Sequence, residues 1–319
     1  MTTALVTGSR GFVGSHLRPL LRSMGWTVVG VGRSDAQAEA GERYLRADVT
    51  MPDEMAGVLE AVRPDVVFHL AAGSAQTVVD PVELVRGAVS GTQSICSSLR
   101  RVGLRARLIL AGSSAQYGAT SARTDRLVES DPCEPLNTYG YAKAAAESVA
   151  FALSIDSAFE LVAVRPFNHV GPGERPTTVA GAIARRVLSV VEGRAARIPV
   201  GDLGAVRDFT DARDIARGYV TLAERGVPGS VYNLCSGRGR TVGDVLDGLL
   251  DAAGLDRSVV DVVEGSSGAI ASQVGSPLRT EAATGWVATI PLDQSLSDLL
   301  GSLGGEEAGR WMEGSISGA

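Results

Sequence analysis

Over its first 165 residues the chain alternates short apolar runs with longer segments of helical period, and no other feature limits its possible folds so sharply. Runs at residues 4–7, 27–31, 44–46, 66–70, 107–111 and 161–165 read as strands, and the segments 13–24, 51–62, 82–101 and 138–153 between them carry apolar residues at helical spacing. Such alternation predicts parallel strands joined by helical crossovers, because a parallel pair cannot be closed by a hairpin. Several runs are apolar throughout, as expected of strands covered on both faces.

The first crossover carries Thr7-Gly8-Ser9-Arg10-Gly11-Phe12-Val13-Gly14 between a strand and a helix. Gly8 and Gly11 allow the backbone to approach a pyrophosphate, Gly14 lets helix and strand pack closely, and the helix N-terminus offers free N–H groups. A glycine-rich surface turn is the alternative, but the strand-to-helix setting favours dinucleotide binding. The expected fold is therefore α/β, a Rossmann-type doubly wound parallel sheet. The end of the second run selects the dinucleotide. An acidic residue there would hold both ribose hydroxyls of NAD, whereas this chain has Gly32-Arg33-Ser34, with room and charge for a 2′-phosphate. NADP(H) is favoured over NAD(H), unless Arg33 is only a solvated loop cation. Asp48 could accept from the adenine amino group or simply cap its loop.

The pattern loosens after Arg165. A Gly- and Pro-rich loop at 168–173 leads to a helix near 179–192, an extended piece follows, and a seventh strand is expected at 230–235. A helix beyond Thr241 and another near 292–300 complete the pattern. We expect a smaller C-terminal substrate domain interleaved with the first: residues 1–167 plus about 208–237 for the cofactor, about 168–207 plus 238–303 for the substrate, and 304–319 as a Gly- and Ser-rich flexible tail.

Tyr139 and Lys143 lie four residues apart on a predicted helix, hence on one face. This spacing alone is common in helices, where a solvated Lys beside a packed Tyr does no chemistry. A charge about 4 Å from the phenol contributes roughly 4 kcal/mol at an effective dielectric near 20, enough to lower its pKa by up to about three units. The pair would then exchange a proton near neutral pH, and Ser113-Ser114 upstream supplies hydroxyls.

Composition removes other classes. A net charge of −6 disfavours a broad nucleic-acid surface, and no apolar run reaches the length of a membrane span. Cys96, Cys133 and Cys235 show no paired spacing, His16, His69 and His169 no metal-site spacing, and the N-terminus no export pattern, so no metal and a cytoplasmic location are expected. Between Arg165 and Arg217 nine arginines face six acidic residues, a local positive excess suited to an anionic substrate.

Together these motifs resemble the extended short-chain dehydrogenase/reductase family: Thr-Gly-x-x-Gly-x-x-Gly from Thr7, His69-Leu70-Ala71-Ala72, Gly112-Ser113-Ser114-Ala115-Gln116-Tyr117-Gly118 and Tyr139-x-x-x-Lys143. The segments 165–173, 206–214, 232–237 and 283–286 look most like the branch that reduces a GDP-linked 4-keto-6-deoxyhexose. The resemblance implies Ser113, Tyr139 and Lys143 as catalytic residues. It places Gly8, Gly11, Phe12, Val13, Gly14, Arg33, Ser34, Asp48, Val49, Leu70, Ala71, Ala72, Phe167 and His169 at the cofactor beside Tyr139 and Lys143. Ser113, Ser114, Tyr139, Asn168 and Arg207 would face the sugar nucleotide, Arg207 at its diphosphate. His169 and Asn168 also fit ordinary loop roles. A homodimer through the helices near 82–101 and 138–153 is implied as well.

The chain departs from that pattern twice. Relatives carry Asn where Ala88 opens Ala88-Val89-Ser90-Gly91-Thr92, and an Arg-Pro-Ser-Asp-type segment where this chain has residues 265–269, Gly-Ser-Ser-Gly-Ala. The nucleotide, GDP or dTDP, and the hexose are left open by this. Dehydratases of the fold carry Asp-Glu after the catalytic Thr, where this chain has Ser114-Ala115, and epimerases usually retain NAD. A non-catalytic dinucleotide-binding regulator would be expected to lose Ser113, Tyr139 or Lys143. The expectation is NADPH-dependent reduction of a nucleotide-linked 4-keto-6-deoxyhexose, with 4-epimerisation or dehydration as the alternative.

Overall fold

A computed structural model describes residues 1–34, 42–71, 80–263 and 270–304. In chain order the first part runs β1 (Thr3–Thr7), α1 (Phe12–Ser23), β2 (Thr27–Gly32), β3 (Arg43–Arg46), α2 (Pro52–Val62), β4 (Val66–His69), α3 (Pro81–Val102), β5 (Arg107–Ala111), α4 (Thr138–Ser154) and β6 (Glu160–Pro166). The second part runs β7 (Asn168–Val170), α5 (Val179–Val191), β8 (Ile198–Val200), β9 (Val206–Asp211), α6 (Ala212–Arg225), β10 (Ser230–Leu234), β11 (Gly239–Thr241), α7 (Val242–Ala253), β12 (Val260–Val262), β13 (Ser272–Gln273), α8 (Leu278–Thr284) and α9 (Leu292–Gly304).

Seven strands form one parallel sheet in the order β10-β6-β5-β4-β1-β2-β3, so the chain winds outward from β1 in both directions. A crevice opens where the order reverses, beyond the carboxyl ends of β1 and β4. Local chemistry sets the helix ends. Asp80 caps α3 by accepting from Val82 N at 2.9 Å, with Pro81 at the first position and Gly103 closing the helix in the left-handed region. Asn137 caps α4 through Gly140 N at 2.8 Å, which fixes where Tyr139 enters the first turn. Helix α6, absent from the sequence expectation, is capped by Asp211 and buries Ile215, Tyr219 and Leu222 against the sheet.

Two apolar cores cover the two faces of the large sheet, one with α1 and α6, the other with α2, α3 and α4. A third core lies among α5, α7, α9 and strands β8 and β9. Helix α8 departs from the expected division. The sequence pattern puts 238–303 in the smaller unit, whereas Ala283 and Trp286 pack on the first core with Ile215 and Tyr232. The indole donates to Asp214 O at 3.0 Å, so the chain crosses back to the large sheet before α9. Among the described residues no helix is long and apolar enough to cross a membrane, and no cluster of residues is suited to a metal ion. The segment 265–269 and the tail beyond 304 lie outside the described residues.

Candidate active site

The glycine turn between β1 and α1 is shaped by close approach. A Cβ on Gly14 would lie 2.5 Å from Gly8 O, and one on Gly8, whose φ is +65°, would lie 2.8 Å from Ala71 N. Only glycine fits both places, and the turn so formed sets the N-terminus of α1 at the end of β1, the arrangement that a dinucleotide pyrophosphate requires. Ala71 N also donates to Thr7 Oγ1 at 3.2 Å, tying the end of β4 to this turn. Leu70 and Val13 pack at the edge of the first core and Val49 on the second, while Ala72 lies outside the described residues. Arg33 and Ser34 are exposed at the end of β2. Sequence reasoning missed a neighbour here: the Arg10 guanidinium stacks 4.7 Å above the Tyr44 ring. Asp48 takes its cap role. Burial opposes its ionisation, but hydrogen bonds from Thr50 N (2.9 Å) and Thr50 Oγ1 (2.8 Å), with Arg33 and Arg86 nearby, hold its pKa below the usual value.

Across the crevice, Ser113 starts a short 3₁₀ turn after β5. Its Oγ accepts from Ala115 N at 3.2 Å, and its hydroxyl is near enough to the Tyr139 phenol to pull the phenol's pKa down against the effect of burial. Lys143 is buried, sits 5.8 Å from the centre of the Tyr139 ring, and donates to Ala111 O at 2.7 Å. The three expected catalytic side chains thus converge. The expected acidity does not follow: burial raises the Tyr139 pKa above 10, and the Ser113 hydrogen bond only partly offsets this. The same burial drops Lys143 to about 8. A low-dielectric wall opposes both charged forms, an effect that spacing along a helix does not reveal.

The loop after β6 differs from expectation at Phe167. Its ring turns inward among Tyr117, Leu127 and Cys235, and its carbonyl accepts from His169 Nδ1 at 3.0 Å. His169 instead stacks on Phe12 of the glycine turn, with ring centres 5.6 Å apart and planes at 19°, and burial keeps its pKa low. Asn168 is part-buried in β7, paired with Phe209. Ser114 is also turned inward: its Oγ donates to Gln273 Oε1 at 3.1 Å, in a buried contact. Arg207 is held in β9 by its own donations to Val206 O (2.7 Å) and Ile270 O (2.9 Å). It lines a cavity of about 430 Å³ with Thr178, Arg186, Val200 and Asp202. Ala88, where relatives carry Asn, lets α3 pack directly on Ala142 and Ala146 of α4.

The profile of the NAD dependent epimerase/dehydratase family matches residues 4–235. The chain belongs to this family. GDP-6-deoxy-D-mannose reductase from Pseudomonas aeruginosa is 31% identical over 92% of this chain and 95% of that protein. A dTDP-glucose 4,6-dehydratase from Streptomyces griseus is 30% identical over 84% of each chain. The solved structure of RMD from Pseudomonas aeruginosa complexed with NADPH superposes with a TM-score of 0.82 at 30% identity, covering 95% of this chain and 98% of that one. Family membership makes the chain one of the NAD(P)-dependent enzymes of nucleotide-sugar chemistry, on a Rossmann-type fold.

Proposed function

We propose that the protein reduces the C4 ketone of a nucleotide-linked 4-keto-6-deoxyhexose, carried on GDP or dTDP, with NADPH as reductant. The observation that carries this reading is the convergence of Ser113, Tyr139 and Lys143 on the crevice opposite the glycine cradle. The glycine turn at the start of α1 and the exposed Arg33 and Ser34 suit a dinucleotide bearing a 2′-phosphate. When bound, the reduced nicotinamide supplies a hydride to the ketone carbon.

The protein's own residues do the rest. The Ser113 hydroxyl and the Tyr139 phenol hydrogen-bond the ketone oxygen, which gains negative charge as the carbon is reduced. Tyr139 gives that oxygen its proton, and a phenol kept protonated by burial is in the correct form for this step. Lys143 holds positive charge beside the phenolate that forms and is anchored by the Ala111 carbonyl. His169, stacked on Phe12, closes one side of the crevice against water. The smaller unit takes the sugar nucleotide, with Arg207 and the neighbouring cavity receiving its diphosphate end and Asn168 beside it.

Dehydration is disfavoured because the position after Ser113 holds a buried hydroxyl spent on Gln273, followed by Ala115, so no acid–base pair adjoins the serine. Association of two copies through α3 and α4 accords with the exposure of Val82 (70%) and Tyr141 (60%) on those helices. A cytoplasmic location accords with three free cysteines.

The test is NADPH oxidation against a panel of GDP- and dTDP-linked 4-keto-6-deoxyhexoses, with product stereochemistry read by NMR. Turnover of one class is expected, and no turnover by enzyme that binds NADPH refutes the reading. Tyr139→Phe is expected to lower kcat roughly 10²–10⁴-fold, and a variant at full rate removes Tyr139 from the proton step.

A further inference from the structure

Behind the catalytic groups lies a buried polar chain. Arg165 of β6 grips Glu147 of α4 with two bonds, Nη2 to Oε1 at 2.6 Å and Nε to Oε2 at 3.1 Å, and both residues are less than a tenth exposed. Glu147 Oε2 also accepts from Gln116 Nε2 at 3.0 Å, and Gln116 Oε1 accepts from Ser113 N at 2.8 Å. Gln116 is fully buried, so neither end of its amide has water as an alternative partner. Glu147 stands four residues beyond Lys143 and eight beyond Tyr139, on the same face of α4. The chain therefore connects the helix that carries the phenol and the ammonium to the backbone of the serine that faces them. A second close contact holds the same two pieces together, since a Cβ on Gly140 would lie 2.5 Å from Ala115 O. Gly112 leaves the room Gln116 needs, because a Cβ there would lie 2.5 Å from its Oε1.

A buried ion pair is a weak source of stability, because desolvating both charges offsets most of their attraction, and apolar groups of the same shape serve as well. What this chain of bonds supplies is geometry. We propose that Gln116, clamped by the Glu147–Arg165 pair, is a positioning residue that sets the Ser113 hydroxyl against the Tyr139 phenol. The consequence for turnover rests on the reductase reading above, whereas the consequence for Tyr139 does not.

Gln116→Met keeps the volume and removes both bonds while leaving Arg165 on Glu147. Displacing Ser113 by as little as 1 Å is expected to lower kcat roughly 10–100-fold with KM for the sugar nucleotide little changed. The Tyr139 phenol, losing its Ser113 partner, is expected to titrate about 0.5–1 pH unit higher, followed by NMR of enzyme carrying ¹³C-labelled tyrosine. Gln116→Glu retains the acceptor for Ser113 N and, when protonated, the donor to Glu147, so at acid pH it is expected to recover kcat, whereas the Tyr139 titration, which lies above pH 10, is read with this carboxyl ionised. A Gln116→Met enzyme with wild-type kcat and an unmoved Tyr139 titration overturns the proposal. If that variant does not fold, a Gln116→Glu enzyme whose Tyr139 titration matches wild type even with the carboxyl ionised overturns it equally. A wild-type protein inactive on every 4-keto sugar sinks the reductase reading alone, because the titration of Tyr139 still reports on Gln116.

Discussion

Glu174 gives a quantitative test of how this fold handles a buried charge. It follows the Gly171–Gly173 turn, is 4% exposed, and has one carboxylate oxygen, Oε2, without a partner among the described residues. Burial raises its pKa from 4.5 to about 7, against the opposing pull of hydrogen bonds from the Thr178 side chain and Gly171 N–H. Below pH 4.5 the carboxyl is protonated in both the folded and the unfolded chain and does not affect their balance. Between pH 4.5 and about 7 the unfolded chain releases the proton and the folded one retains it, so stability falls as pH rises; above 7 the loss is constant. A gap from 4.5 to about 7, at about 1.4 kcal/mol per unit, corresponds to about 3 kcal/mol.

Glu174→Gln keeps the shape and an acceptor for both hydrogen bonds but has no proton to lose. Urea unfolding of wild type and variant at intervals from pH 4.5 to 8 isolates this group, since every other titrating residue is common to both. The curves are expected to coincide near pH 4.5 and to separate steadily, with the variant more stable by about 3 kcal/mol at pH 8. In melting temperature the difference is roughly 5 °C. Parallel curves across the range, or a variant less stable at pH 8, would show that the carboxyl is not desolvated as its surroundings imply.

Lys143, with its pKa brought down to about 8, is charged below that pH and neutral above it, so kcat/KM is expected to fall on the alkaline side near pH 8. Lys143→Arg is expected to move that limb beyond pH 10 at a lower maximum, and a wild-type profile flat to pH 9.5 excludes the assignment. Gly14→Ala drives a Cβ to 2.5 Å from Gly8 O. An overpacking cost of about 1–3 kcal/mol is expected to weaken NADPH binding roughly 5–150-fold, as calorimetric titration of the folded variant measures; an unchanged Kd would separate the glycine turn from the cofactor.

The central sheet was legible because its strands carry their own signal. Short runs broken at the crossovers, several of them apolar on both faces, placed all seven strands of the sheet close to their observed limits. Helix α6 is hidden in the sequence because its start lies inside the polar segment 206–214, although Asp211 is an ordinary helix cap and Ile215, Tyr219 and Leu222 fall at helical spacing. The smaller unit was harder to read. Its strands β7, β8, β11, β12 and β13 have three residues or fewer, too short for a period-two pattern to rise above chance.

The site separates what spacing reveals from what burial decides. Four residues along a helix put Lys143 beside Tyr139, and the structure keeps it there, but the same packing disfavours both charged forms, so the phenol is a weaker acid than the pair alone suggests. Phe167 and Ser114 were expected at the ligands from their place in motifs, and both turn into the protein. A motif marks where the backbone goes, while the direction of a side chain depends on partners remote in sequence: Gln273 for Ser114, a hundred and more residues away, and Tyr117 and Cys235 for Phe167. The reverse holds at Gln116, an unremarked residue in a motif read for its serines. Its amide spans from Ser113 to a glutamate 31 residues downstream, and through that glutamate to Arg165 of the next strand. The helix that carries Tyr139 and the turn that carries Ser113 are therefore both tied to β6, which makes their mutual alignment a property of the sheet as much as of the helix.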